Sequence, residues 1–386
     1  MRKLFFWLHL CAGVIAGLII FIMSVTGVLL MYEKQLIAWA DQRSLPPLQT
    51  GSRLPVEDLL ARAQTQRGSL PVSISLPSDQ ALPAQLAYGR EIVYQDPASG
   101  QLLGPGNTSV RKFFRSVTDW HRWLAASENS RSTGRAATGA ANLAFLFIVL
   151  SGAYLWLPRV WTRASVRAIA WFRGGLSGKA RDFNWHNAIG VWCLVPLVLI
   201  VASGSVISYP WASNLVYTLT GTQAPSGPGG PRREGPRREG QPAAADVAGL
   251  NALWQQAASH ASGWRLLTLR VPDSNRAPVS FQIDQGYAGQ PQQRITLALD
   301  RSSGAVKSRE AFADLNQGRR LRTWLRFVHT GEFYGLTGQT IAGIASLGAA
   351  VLTYTGIALS LRRFAAWRRR RSRGTAAEAL PVSTVQ

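Results

Sequence analysis

Apolar positions along the chain gather into four long runs, Phe5 to Met31, Ala140 to Leu157, Ile189 to Tyr209 and Gln339 to Leu361. About 20 helical residues cross a hydrocarbon core of about 30 Å, so each run predicts a transmembrane helix. Between the first and second runs the period changes. A helical stretch, Pro55 to Gln66, precedes strand-like Pro71 to Leu76, a turn at Pro77-Ser78-Asp79, a strand through Leu86 to Tyr88, and Ile92 to Tyr94 leading into Asp96-Pro97-Ala98-Ser99-Gly100. Between the third and fourth runs the order returns: helical Val247 to Ser259, then Leu266 to Val271, a turn at Pro272-Asp273-Ser274, Val279 to Ile283, and Ile295 to Leu299 entering Asp300-Arg301-Ser302-Ser303-Gly304. Period-2 alternation bounded by Pro, Asp and Gly reads as hairpin strands.

The pattern predicts an α-helical membrane protein, four transmembrane helices from a duplicated unit with two small α+β domains outside the bilayer. Its segments are a first span at 1–32, an α+β domain at 33–110, a surface helix with the second span at 111–158, and a basic loop at 159–182. A third span at 183–212, a second α+β domain at 213–318, a surface helix with the fourth span at 319–361, and a basic tail at 362–386 complete it. Within the second domain, 221–246 is rich in Pro, Gly and Arg, repeats Pro-Arg-Arg-Glu-Gly in tandem, and has little to bury, which predicts a disordered insert.

Hydrophobic content of 47% beside a mean hydropathy of only +0.02 agrees with spans alternating with polar domains. The net charge of +22 does not require nucleic acid as a partner, because its basic residues cluster. Arg159, Arg163, Arg167, Arg173, Lys179 and Arg181 fill the short loop between the second and third spans, and Arg362, Arg363 and Arg368 to Arg371 follow the fourth. Short basic segments mark the cytoplasmic side. Both termini are therefore expected inside, with both α+β domains across the membrane. The first run is too long for the apolar core of a signal peptide and lacks a small-residue cleavage site, so it reads as a retained anchor.

Four of the five histidines fall at matching places in the two halves. His9 is followed by Gly13 and Thr26-Gly27; His186 is followed by Gly190 and Ser203-Gly204, at the same offsets. His121 and His329 precede the second and fourth spans. His9 and His186 open spans running outward, so they share the inner depth; the other two share the outer depth. An unbroken helix would carry His121 about 30 Å beyond the second span, so the polar stretch Ser127 to Gly139 must bend. Arg111 to Ala125 then reads as an amphipathic surface helix, with Leu321 to Val328 as its counterpart.

Paired imidazoles from separate helices at a bilayer suit a haem, whose macrocycle prefers hydrocarbon and whose iron takes one neutral imidazole on each face. With an i to i+4 offset, Gly13 and Gly190 share the histidine faces and leave room for the ring edge. The small pairs at 26–27, 151–152, 203–204 and 355–356 read as helix contacts. Cys11 and Cys193 belong to no haem-attachment motif and read as packing residues, so any haem is non-covalent. His260 has no counterpart and carries no expectation.

These residues resemble a known family, the PepSY-associated transmembrane proteins, also described as iron-regulated membrane proteins. The resemblance rests on Trp7-Leu-His9-Leu with Gly13 and Thr26-Gly27-Val, Trp120-His121-Arg-Trp-Leu, Ser151-Gly-Ala-Tyr-Leu-Trp156, Trp185-His186-Asn, and the Asp-x-x-Ser-Gly turns at 96–100 and 300–304. It covers nearly all of the chain except the insert and the tail. Within the family the chain is similar to ferric-siderophore reductases of the Gram-negative inner membrane. That implies two haem b groups, His9 and His186 as axial ligands of the cytoplasmic-side haem and His121 and His329 of the periplasmic-side one, beneath periplasmic PepSY-like domains. It implies a ferric siderophore of hydroxamate type as substrate. No G-x-G-x-x-G opens a helix after a strand, so electrons are expected from a separate cytoplasmic or quinol donor. Two other readings stand beside this one: a metal-ion transporter with histidines along its path, and a PepSY-type membrane protein that regulates a peptidase.

Overall fold

A computed structural model describes residues 1–158, 160–224, 246–275, 277–286 and 289–378. Most of the Pro, Gly and Arg-rich insert and the last residues of the tail lie outside the described residues. In chain order the helices are α1 (Arg2–Leu30), α2 (Glu33–Ser44), α3 (Val56–Arg67), α4 (Thr108–Trp123), α5 (Arg131–Trp156) and α6 (Arg163–Ala170). They continue with α7 (Gly178–Ser208), α8 (Pro210–Leu219), α9 (Leu250–Ser259), α10 (Gln317–His329) and α11 (Gly335–Glu378). The strands are β1 (Ser73–Pro77), β2 (Ala84–Tyr88), β3 (Glu91–Gln95), β4 (Leu102–Gly104), β5 (Leu266–Arg270), β6 (Val279–Asp284), β7 (Arg294–Leu299) and β8 (Val306–Ala311).

These elements form two bodies, one of Met1–Met31, Ser116–Tyr209 and the chain from Gln339 onward, the other of Tyr32–Arg115 and Pro210–Gly338. The first is a bundle of the four apolar helices. Each is long and apolar enough to cross a membrane, and only 28 to 33% of each apolar window is buried. Ile15, Val195 and Ile344 stand 82%, 69% and 62% exposed, the signature of helices whose outward faces meet an apolar medium. Inside, small side chains allow close approach. Ala16, Ile20 and Ala141 join α1 to α5, while Val149, Cys193, Leu197, Ala345 and Ala349 join α5, α7 and α11. Asn142 on α5 donates to the Val201 carbonyl and to Ser205 on α7, both at 3.0 Å. Cys193 is buried as a packing residue should be, but Cys11 is exposed on α1.

Between α4 and α5 the chain turns sharply. Leu124 and Ala125 take left-handed conformations, with φ of 53° and 54°, and a short 3₁₀ turn at Glu128–Ser130 follows. Gly134 lies so close to the Trp123 carbonyl that a Cβ there would collide with it.

The second body corrects the expectation of two separate α+β domains. All eight strands form one antiparallel sheet in the order β4-β3-β2-β1-β5-β6-β7-β8. The seam is β1 against β5, with Ile74 opposite Leu269 and Leu76 opposite Leu267, and Ser75 and Thr268 share a hydroxyl hydrogen bond of 2.8 Å. Each half alone would leave the edge of β1 or β5 unpaired, and joining them satisfies both rows of backbone groups. The core is likewise single: Leu59, Leu60 and Ile74 from one half and Leu253, Leu267 and Phe281 from the other belong to one buried cluster. Helices α3 and α9 meet through Asn251, which accepts from the Glu57 amide (3.1 Å) while its own amide donates to the Glu57 carboxylate (2.8 Å).

Both Asp-x-x-Ser-Gly segments form the same turn. The Asp96 carboxylate accepts from the amides of Gln49, Ala98 and Ser99 at 2.7 to 2.9 Å, and Asp300 accepts from the amides and hydroxyls of Ser302 and Ser303. Gly100 and Gly304 close the turns with φ of 68° and 71°, a conformation glycine adopts without steric cost. Elsewhere in this body Asp41 of α2 is buried, accepting from Tyr94 at 2.7 Å and the Asn107 amide at 2.7 Å and pairing with Arg111.

Candidate functional site: paired histidines in the helix bundle

Helix α1 carries His9 in its second turn and α7 carries His186, and the two rings lie edge to face with centres 6.5 Å apart. Each ring is held through Nδ1 by a hydroxyl from another helix. Ser151 on α5 lies 3.0 Å from His9 Nδ1, and Thr355 on α11 lies 3.0 Å from His186 Nδ1.

The direction of these bonds follows from the hydroxyls. Ser151 donates its one proton to the Ile148 carbonyl (3.2 Å); Thr355 donates to the carbonyls of Val351 (2.8 Å) and Leu352 (3.1 Å), the back-bonding usual for Ser and Thr in helices. With its proton committed, each hydroxyl accepts, so Nδ1 carries the ring hydrogen and Nε2 keeps its lone pair.

This is the state a metal-ligating imidazole needs, with the remote nitrogen anchored. The spacing fits as well. Imidazoles bonded at about 2 Å on opposite faces of one ion have centres about 6.3 Å apart. An edge-to-face ring pair can occur without any ligand; what sets this one apart is that each ring has its Nδ1 3.0 Å from a hydroxyl on a further helix. A Cβ on Gly13, one turn after His9, would meet nothing within 4 Å. At Gly190 the nearest atom is Leu352 Cδ2, at 3.7 Å.

Basic side chains gather at this end of the bundle. Arg2 donates to the carbonyls of Leu155 and Leu157, and Arg363 lies over the rings of Phe6 and Trp7 at 4.9 and 5.0 Å. Buried Asp182, one turn before His186, is clamped by Arg181 and Arg362 and so fastens α7 to α11.

His121, at the end of α4, also meets a hydroxyl. Its Nδ1 lies 2.9 Å from Thr26 Oγ1 on α1, and Thr26 donates to the carbonyls of Ile22 (2.7 Å) and Met23 (3.1 Å). His329 is the last residue of α10, in the sheet-bearing body. His260 is exposed at the end of α9. The structure thus brings His9 and His186 together and gives His121 the same anchorage within the bundle.

At three of the small pairs the expected contact between helices is made against a histidine ring. Thr26-Gly27, Ser151-Gly152 and Thr355-Gly356 each touch a histidine ring: a Cβ on Gly27 would fall 3.6 Å from His121 Cε1, on Gly152 3.2 Å from His9 Cε1, and on Gly356 3.4 Å from His186 Cε1. At the fourth pair Gly204 faces Asn142, a contact between helices as expected. Among the described residues no three or more His, Cys, Asp or Glu side chains converge as a multidentate ion site requires. His9 and His186 come as a pair.

None of the curated proteins matches the chain. The family described as PepSY-associated TM region matches residues 6–363. This membrane protein therefore belongs to the PepSY-associated TM region family.

Proposed function

We propose that the protein is a di-haem b electron-transfer enzyme of a Gram-negative inner membrane that reduces ferric siderophore in the periplasm and releases ferrous iron. The observation that carries this reading is the His9 and His186 pair, two rings from separate apolar helices, each anchored through Nδ1. Held by these two imidazoles, haem would supply a one-electron carrier suited to electron transfer. The chain's own part is to hold. His9 and His186 offer Nε2, Ser151 and Thr355 fix ring orientation, and the surrounding apolar side chains exclude water. Arg2 and Arg363 place positive charge at the same end, suited to carboxylates on a macrocycle edge.

His121, anchored by Thr26, and His329 are the proposed axial ligands of the periplasmic-side haem. Electrons would arrive from a cytoplasmic or quinol donor and leave singly, one per ferric ion. Hard siderophore oxygens favour the trivalent ion, so reduction weakens their grip.

An absorption spectrum of the purified protein tests the reading directly. Reduced haem b bands are expected, with His9→Ala and His186→Ala each removing the same one of two haems. A colourless protein rejects the reading in favour of a transporter or a peptidase regulator, and two haems retained in every single variant reject the pairing. Rates with a panel of ferric chelates, hydroxamates among them, then identify the substrate.

A further inference from the structure

Three hydroxyl-glycine dipeptides on three helices repeat one arrangement. Ser151-Gly152 of α5 lies under His9 of α1, Thr355-Gly356 of α11 under His186 of α7, and Thr26-Gly27 of α1 under His121 of α4. In each the hydroxyl sits 2.9 to 3.0 Å from Nδ1 and the following glycine faces Cε1 of the same ring. Small residues at one helix crossing need no special account. The same two atoms of the ring met by the same two residues, at three different crossings, do.

We propose that each dipeptide is a seat for a ligating histidine, with Thr26, Ser151 and Thr355 as positioning residues that select the Nδ1–H tautomer. The hydroxyl proton is occupied by a backbone carbonyl in the preceding turn, so only a ring N–H completes the bond. The glycine supplies the other half. A Cβ would press on Cε1 at Gly152, at 3.2 Å, and would already fill van der Waals contact at Gly356 and Gly27, at 3.4 and 3.6 Å, so a branched side chain would push the ring off the hydroxyl.

The seat also has an electronic consequence. A ring that donates from Nδ1 is a more basic ligand at Nε2, and a more basic axial ligand favours the ferric state. Because this consequence rests on the haem reading above, the test has two arms.

In the first, full-length protein carrying 15N-histidine is made without haem and its ring nitrogens are read by NMR. Neutral histidine free in water favours the Nε2–H form, so Nδ1–H at His9, His121 and His186 is the expected and diagnostic result. Thr355→Val, equal in shape but without the hydroxyl, should abolish that preference at His186 alone, and Thr355→Ser should restore it. Nε2–H in the wild type, or an unchanged tautomer in Thr355→Val, overturns the proposal.

In the second arm the haem-bearing protein is titrated. The midpoint potential of one haem should move positive in Thr355→Val and return in Thr355→Ser, and Gly356→Val should lose that haem. Bound haem with an unmoved potential overturns the seat and leaves the haem reading standing. A colourless protein sinks the haem reading, and the NMR arm still decides the seat.

Discussion

Asp96 and Asp300 hold equivalent turns in different surroundings. Asp96 is 1% exposed; burial opposes its ionisation, yet the amides of Gln49, Ser99 and Ala98 prevail and hold the carboxyl below the usual range. Asp300 also lies below that range, drawn down first by the Ser302 hydroxyl and then by the Ser303 amide, but at the surface. Asp96→Ala should cost about 1 to 3 kcal/mol by leaving three part-buried amides without their acceptor, visible as a fall in thermal midpoint, while Asp300→Ala should do less; equal effects would contradict this account. The depressed value of Asp96 also fixes a sign. Its contribution is complete above the unfolded carboxyl pKa of about 3.9 and is lost as pH falls through the lower folded value. Wild-type protein should therefore lose more stability on acidification through that window than Asp96→Ala does.

The histidines were legible in sequence because they repeat at fixed offsets. The hydroxyls that seat three of them were not recognised, since a Ser-Gly or Thr-Gly pair in an apolar run already has an ordinary explanation. Which ring it meets depends on which helices cross.

At the scale of elements, alternation exposed six of the eight strands. It missed β4, which is three residues long, and β8, whose Val-Lys-Ser-Arg-Glu-Ala sequence has no apolar face because it lies at the sheet edge. The break after α4 was required by length alone, but its mechanism was not visible. Neither Leu124 nor Ala125 is a residue type expected at positive φ, where a side chain costs about 1 to 2 kcal/mol. Ala125→Gly should accordingly raise the thermal midpoint, by up to about 1 kcal/mol of stability. Gly134→Ala should lower it, because its Cβ has no space beside the Trp123 carbonyl. Changes of the same sign in both variants would refute this picture of the turn.

For the whole molecule, the sequence correctly separated apolar spans from a strand-rich part and misjudged how the strand-rich halves relate. Each half shows a complete helix-and-hairpin pattern, and nothing in alternation says whether two edges will meet. The seam makes the halves one folding unit. Leu269→Ala, at a fully buried seam position, should cost about 2 to 5 kcal/mol and accelerate amide exchange in β2 and β6 alike. Faster exchange confined to β5 through β8 would mean that the halves unfold separately.

The meeting of β1 with β5 also says what either half would lack by itself. A polypeptide ending at residue 115 would present β1 as a bare border, and a second copy of itself is the neighbour best matched to cover it. Self-association of such a fragment into antiparallel pairs is the expected outcome, measurable by sedimentation, and a fragment that stays single would mean that its border is matched to β5 alone.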